Sequence, residues 1–290
     1  MLKLKNDHRT ADVTPRQRAM LAYAEKLTRT PGAMCEADIE ALRTKGLADR
    51  DILDVNQVVA YFAYVNRVAD GLGVTTDAYA AAENAAIDAT SPAEPVSEVV
   101  FPRAAPLVRM LAKADAPLLT QPFYAGGDPG PITASMAHVP ELLEVALPFI
   151  GAVLSPSAID WRTKEIVIVR TSALMRCRYC IESHTPIALD SGLSHAQVHA
   201  LRDEEQVASV FSDERDRVLI EWTDAVASGP GPVPEAAARR AAAWFSEAEI
   251  VELTLLVGVT LLLNRYATSL ALPVDPSTIE RLEREGFGRS

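Results

Sequence analysis

Cysteine is scarce in this chain, three residues in 290, and the other shortages are as informative. One C-x-x-C occurs, at Cys177 and Cys180, and no second pair stands elsewhere to complete a four-ligand zinc site. No basic cluster appears, and the formal net charge is −11. That balance argues against nucleic acid or an anionic membrane as partner, because phosphate binding needs a basic patch. No apolar run reaches the ~20 residues of a membrane span, and the longest, from Ile250 to Leu263, contains Glu252. The opening MLKLKNDHRT carries charges where a signal peptide needs its apolar core. Alternating strand patterns joined by hairpin turns are missing too, whereas every strong periodicity is helical, which predicts an all-α fold. The expectation is a soluble globular protein of the cytoplasm, where a C-x-x-C cycles between dithiol and disulfide.

What is present concentrates between Glu165 and His184, EIVIVRTSALMRCRYCIESH. If residues 177 to 189 form a helix, Cys177, Cys180 and His184 fall at i, i+3 and i+7 on one stripe. A C-x-x-C near a helix N-terminus and beside a histidine is where a lowered thiol pKa is expected. Zinc fits poorly, since Cys177 and His184 would lie ~10 Å apart along the axis against metal bonds of ~2 Å. Attached c-type haem requires histidine directly after the second cysteine, where Ile181 stands. Two small buried core cysteines are the remaining bland reading.

Glu165, Cys177, Cys180 and His184, spaced E-x11-C-x2-C-x3-H, resemble the alkylhydroperoxidase D-like branch of the carboxymuconolactone decarboxylase family. DERDRVLIEWTDAV and FSEAEIVELTLLVGVTLLLNRYATSL look like that family's next two helical blocks, so the resemblance spans residues 136 to 272. It implies an AhpD-like helical fold and reduction of an alkyl or hydrogen peroxide by the dithiol. It further implies no metal or haem cofactor, a separate dithiol reductant, and assembly into a homo-oligomer. Glu165 would otherwise read as a solvated helix carboxylate; the resemblance alone makes it functional. Cys180 lies one turn from His184 and is the expected attacking thiol, with Cys177 resolving and Glu165 orienting the imidazole. Helix-dipole activation favours the reverse order, with Cys177 attacking. Two further readings stand beside the peroxidase: a lactone-acid lyase that needs neither thiol, and a redox sensor or assembly subunit without turnover.

Helices are expected over 14–29, 36–44 and 50–71, then 136–154, and from Pro156 through Met175. This N-terminal segment repeats the C-terminal one: RQRAMLAYAEKLTRTPG aligns with RDRVLIEWTDAVASGPG, and Asn66-Arg67 falls on Asn264-Arg265, an offset of 198. Residues 1–75 thus read as a half repeat without cysteines, and 132–290 as the complete domain. Between them, 76–131 is a connector with eight prolines from Pro92 to Pro131, allowing short helices at 77–87 and 104–114. Cys35, Tyr179 and the histidines at 138, 195 and 199 have no evident chemistry.

Overall fold

The computed structural model describes residues 7–74, 105–202, 207–229 and 231–288, and among these the regular structure is entirely helical. Helix α1, Pro15–Arg29, begins in a capping box. Thr14 accepts from the Gln17 amide, and the Gln17 side chain accepts from the Thr14 amide. Helices α2, Glu36–Arg43, and α3, Asp49–Gly71, complete the N-terminal group. The chain continues through α4, Gly130–Met136, α5, Pro140–Leu154, α6, Trp161–Leu174, and α7, Arg178–Asp190. After α8, His195–Arg202, and the single turn α9, Val207–Val210, come α10, Glu214–Ser228, and α11, Glu235–Ala242. The last two are α12, Glu247–Ser269, and α13, Pro276–Arg284.

Two expected boundaries are corrected. Residues 105–114 form no helix. They run as an irregular strap held by backbone bonds, Leu107 to the Leu270 carbonyl and Leu111 to that of Ala134, because Pro106 and Pro117 interrupt helical pairing. The helix placed at Pro156 begins at Trp161 instead. Asp160 is its cap, accepting from the Thr163 amide at 2.7 Å, and a short polar side chain there wins over Pro156. The bend before it is fastened from within. Lys164, fully buried, donates to the carbonyls of Val153 and Ser155 and pairs with Glu252 at 2.6 Å. The helix expected at 77–87 lies outside the described residues, as does most of the connector.

Helix α12 is the axis of the bundle. It packs against α3 on one side and against α6 and α7 on the other. It is long and apolar enough to cross a membrane by length and composition, and 67% of its most apolar window is buried inside the protein. Leu253, Leu256, Val257 and Leu261 supply the buried apolar surface. Close approach to α3 is possible because of Gly258, where an added Cβ would stand 2.7 Å from a Tyr64 ring carbon.

Helix lengths recur along the chain. Helices α1, α2 and α3 have 15, 8 and 23 residues, and so do α10, α11 and α12. The two sets are also cross-tied. Arg67 of α3 donates to the Gly229 carbonyl just past α10, while its counterpart Arg265 of α12 donates to the Thr28 carbonyl in the last turn of α1. Each long helix thereby reaches the end of the other set's first helix.

Candidate active site

Three residues, Met175, Arg176 and Cys177, connect α6 to α7, and their backbone geometry builds the site. The Arg176 amide donates to the Ala173 carbonyl and the Cys177 amide to that of Ser172, which is the Schellman pattern of a helix C-terminus. The left-handed position it requires is filled by Arg176 at φ 53 rather than by glycine. The chain then turns at once into α7, with Cys177 as its cap; the Cys180 amide donates to the Cys177 sulfur at 3.5 Å. One thiol therefore ends one helix and starts the next. Cys177 sits where the peptide dipoles favour a thiolate.

Both sulfurs are in the core: Cys177 is 0% exposed and Cys180 5%. Burial pushes the Cys177 thiol up, but hydrogen bonds from the Cys180 thiol, Thr268, the Cys180 amide and Asn264 outweigh it and hold the group below its usual value. Sharing a proton with Cys177 raises Cys180, burial adds to this, and the group stands well above the thiol range. Of the two, Cys177 is therefore the thiol that gives up its proton first. Two neighbouring thiolates would repel, so the pair releases its protons in separate steps.

Glu165 lies in the middle of α6, in the buried run from Thr163 to Ser172. Its carboxylate is 1% exposed and meets His184 Nδ1 at 3.0 and 3.2 Å. The surface position that composition suggests for a mid-helix carboxylate is therefore not what the fold provides. The structure pairs Glu165 with His184 across α6 and α7 and sets Cys177 against Cys180 at the start of α7, one helical turn before His184. A carboxylate on Nδ1 leaves Nε2 of the 20% exposed imidazole free to take a proton from outside. Among the described residues, no three His, Cys, Asp or Glu side chains converge as a metal site would need.

Sequence reasoning missed the third wall, which α12 supplies. Asn264 hydrogen-bonds both thiols and donates to the Ser172 hydroxyl at 3.0 Å, and Ser172 in turn serves Cys180. The buried Thr268 hydroxyl, without a hydrogen-bond partner of its own in the resting geometry, lies near enough to Cys177 to lower its pKa. The Asn-Arg doublet was visible as a repeat signal, but nothing in it pointed to the thiols. Tyr179 is pushed up to about 12 by burial and then by the negative sulfurs, which makes it a wall of the thiol pocket as well as a core residue.

The other histidines do have partners. His138 Nε2 bonds the Arg109 carbonyl at 2.8 Å, His195 pairs with Glu285, and His195 and His199 stack on Phe287. Cys35 is exposed and caps α2, apart from the thiol pair.

Residues 140–223 match the carboxymuconolactone decarboxylase family model. The match covers α5 through most of α10, and so holds Glu165, both site cysteines and His184, while the α12 wall lies beyond it. The chain is 27% identical over 119 residues to the uncharacterized protein YnjA of Escherichia coli K12. The alignment takes in 41% of this chain and 64% of YnjA, just under two thirds of that relative's length. A solved Agrobacterium tumefaciens protein of unknown function, described as a candidate AhpD antioxidant defence protein, is 25% identical over 48% of this chain and 96% of its own, with a TM-score of 0.44. The matched segment contributes the two helices that carry the C-x-x-C and the Glu-His pair, and the long helix α12 packs against both.

Proposed function

We propose that the chain is a thiol-dependent peroxidase that reduces alkyl or hydrogen peroxide through a Cys177–Cys180 dithiol/disulfide cycle. The observation that carries the reading is the buried, adjacent Cys177–Cys180 pair one helical turn from an imidazole that a buried carboxylate orients. A merely structural pair of core cysteines would need neither. His184 takes the Cys180 proton, and the resulting thiolate attacks the peroxide O–O bond, giving a Cys180 sulfenic acid and an alkoxide that His184 protonates to the alcohol. The Cys177 thiolate then attacks the sulfenic sulfur; the S–S bond forms and hydroxide leaves, to be released as water. An external dithiol reduces the disulfide by exchange. Cys180 is given the first step because it is the less buried residue of the two and lies one turn from His184. The lowered pKa of Cys177 suits the resolving thiol, which must lose its proton to attack the sulfenic sulfur. The cycle requires a reducing compartment, in keeping with a cytoplasmic location, and the protein works as a homo-oligomer.

Thiol titration before and after one equivalent of peroxide tests this. Two of the three thiols should disappear and return on addition of a dithiol, with catalytic peroxide consumption while dithiol lasts. Loss without turnover would make the chain a redox sensor. Lactone decarboxylation that survives alkylation of both thiols would make it a lyase.

A further inference from the structure

Beside Arg265, the residue after Asn264, lies a cavity of about 390 Å3 whose wall is mixed polar and apolar. It is enclosed by the ends of α1, α6 and α10, and by Arg67 and Arg265, the residues that occupy equivalent places in the two helix sets. Arg29 and Arg176 stand at its exposed rim.

Arg265 is the unusual member. Only 6% of it is exposed, yet among the described residues it has no carboxylate partner. Its contacts are all long: the Leu261 and Thr28 carbonyls at 3.3 Å and the Met175 sulfur at 4.0 Å. Charge-assisted bonds are ordinarily ~2.7–2.9 Å, and its Nε–H has no acceptor at all. Burial, then repulsion from Arg67, draws its pKa down to about 10. Arg29 and Arg67 have only distant acids, Glu25 and Asp70, each at 3.4 Å.

The plain alternative is that these arginines are helix C-caps, and in part they are, since Thr28 and Gly229 lend carbonyls. The carbonyl ends of three helices also oppose an anion. Caps alone, however, would not require a cavity of this volume between the two guanidiniums. Nor would they leave a buried donor unpaired, because an unmade bond to a charged group is costly. We infer that the cavity between Arg67 and Arg265 binds an oxyanion, a carboxylate or phosphate carried by a small organic molecule, held by both guanidiniums. The volume falls in the ~300–1,000 Å3 range of small-ligand sites, more than a lone ion needs. Because Met175 and Arg176 lead directly into Cys177, and Arg265 follows Asn264, an occupant would touch both segments that hold the thiol pair.

Calorimetry and thermal unfolding of the full chain test this, with inorganic phosphate and succinate titrated separately against sodium chloride of matched ionic strength. Either oxyanion should give a saturable signal of one site per chain and raise the Tm. Arg67→Gln should weaken that binding by about tenfold or more, as expected for loss of one charge-assisted contact; its unliganded Tm reports whether it folds. Arg265→Gln should do the same, and if it fails to fold, the part-buried Arg67 decides. The proposal is overturned if neither oxyanion produces a saturable effect above the chloride blank. Binding that persists undiminished in Arg67→Gln would overturn it too.

Discussion

At the scale of single residues, the site sets a contrast between the thiol that ionises more readily and the thiol expected to attack. Hydrogen bonds hold the Cys177 thiol below its usual range, yet the histidine one turn away favours Cys180. Two variants separate these. Cys180→Ser should abolish peroxide consumption, while Cys177→Ser should allow one turnover and accumulate a sulfenic acid that a dimedone adduct reveals by mass. The pH profile adds a sign. Because the hydrogen bond to Cys177 is the largest cause of the raised Cys180 pKa, the first-turnover rate should climb on the alkaline side in wild type and shift to lower pH in Cys177→Ser. A wild-type rate already flat through neutral pH would mean that Cys177 attacks, and the roles would have to be exchanged. Glu165→Gln keeps shape but removes the anion that fixes His184. Loss of such a partner typically lowers activity ~10–100-fold, with KM little changed in steady-state kinetics.

At the scale of elements, the helical periods of α1, α3 and α12 were legible, because apolar spacing, caps and glycine stops agreed there. The linkage of α6 to α7 was not, since it depends on Arg176 taking a left-handed backbone that sequence ordinarily assigns to glycine. The strap at 105–114 looked helical from its alanines and leucines, and was extended by its prolines and its bonds to α4 and α12. The four site residues could be named from their spacing and resemblance. Asn264, Thr268 and Ser172 could not, because which face of α12 meets the thiols is a tertiary fact. That face is set by the contact with α3, which turns on one small residue. Gly258→Val should press into the Tyr64 ring and cost ~1–3 kcal/mol, the usual range for overpacking. In urea denaturation, a lowered midpoint with an unchanged slope would show it; an unchanged midpoint would mean that α3 and α12 separate easily.

At the scale of the molecule, the two helix sets share lengths but not surroundings. On α12, the positions 198 residues beyond Val58, Tyr61 and Phe62 are Leu256, Val259 and Thr260, all buried. They are covered because α6 packs over α12. On α3 the first set has no such cover among the described residues, and Val58, Tyr61 and Phe62 are each more than half exposed. With Val145 and Phe149 of α5 they line an apolar groove of about 550 Å3. A contiguous apolar face of this kind is uncommon on a monomer. A second copy of the chain is the occupant that the homo-oligomer reading supplies, and a two-fold axis would set the α3 faces against each other. Light scattering at micromolar concentration should therefore give a multiple of 31.3 kDa. Tyr61→Ser with Phe62→Ser should dissociate the assembly without unfolding it, since both side chains are exposed in the single chain. Circular dichroism unchanged from wild type would verify the second point. A wild-type mass of one chain would remove the oligomer from the proposal while leaving the thiol cycle, whose residues all come from one protomer, untouched.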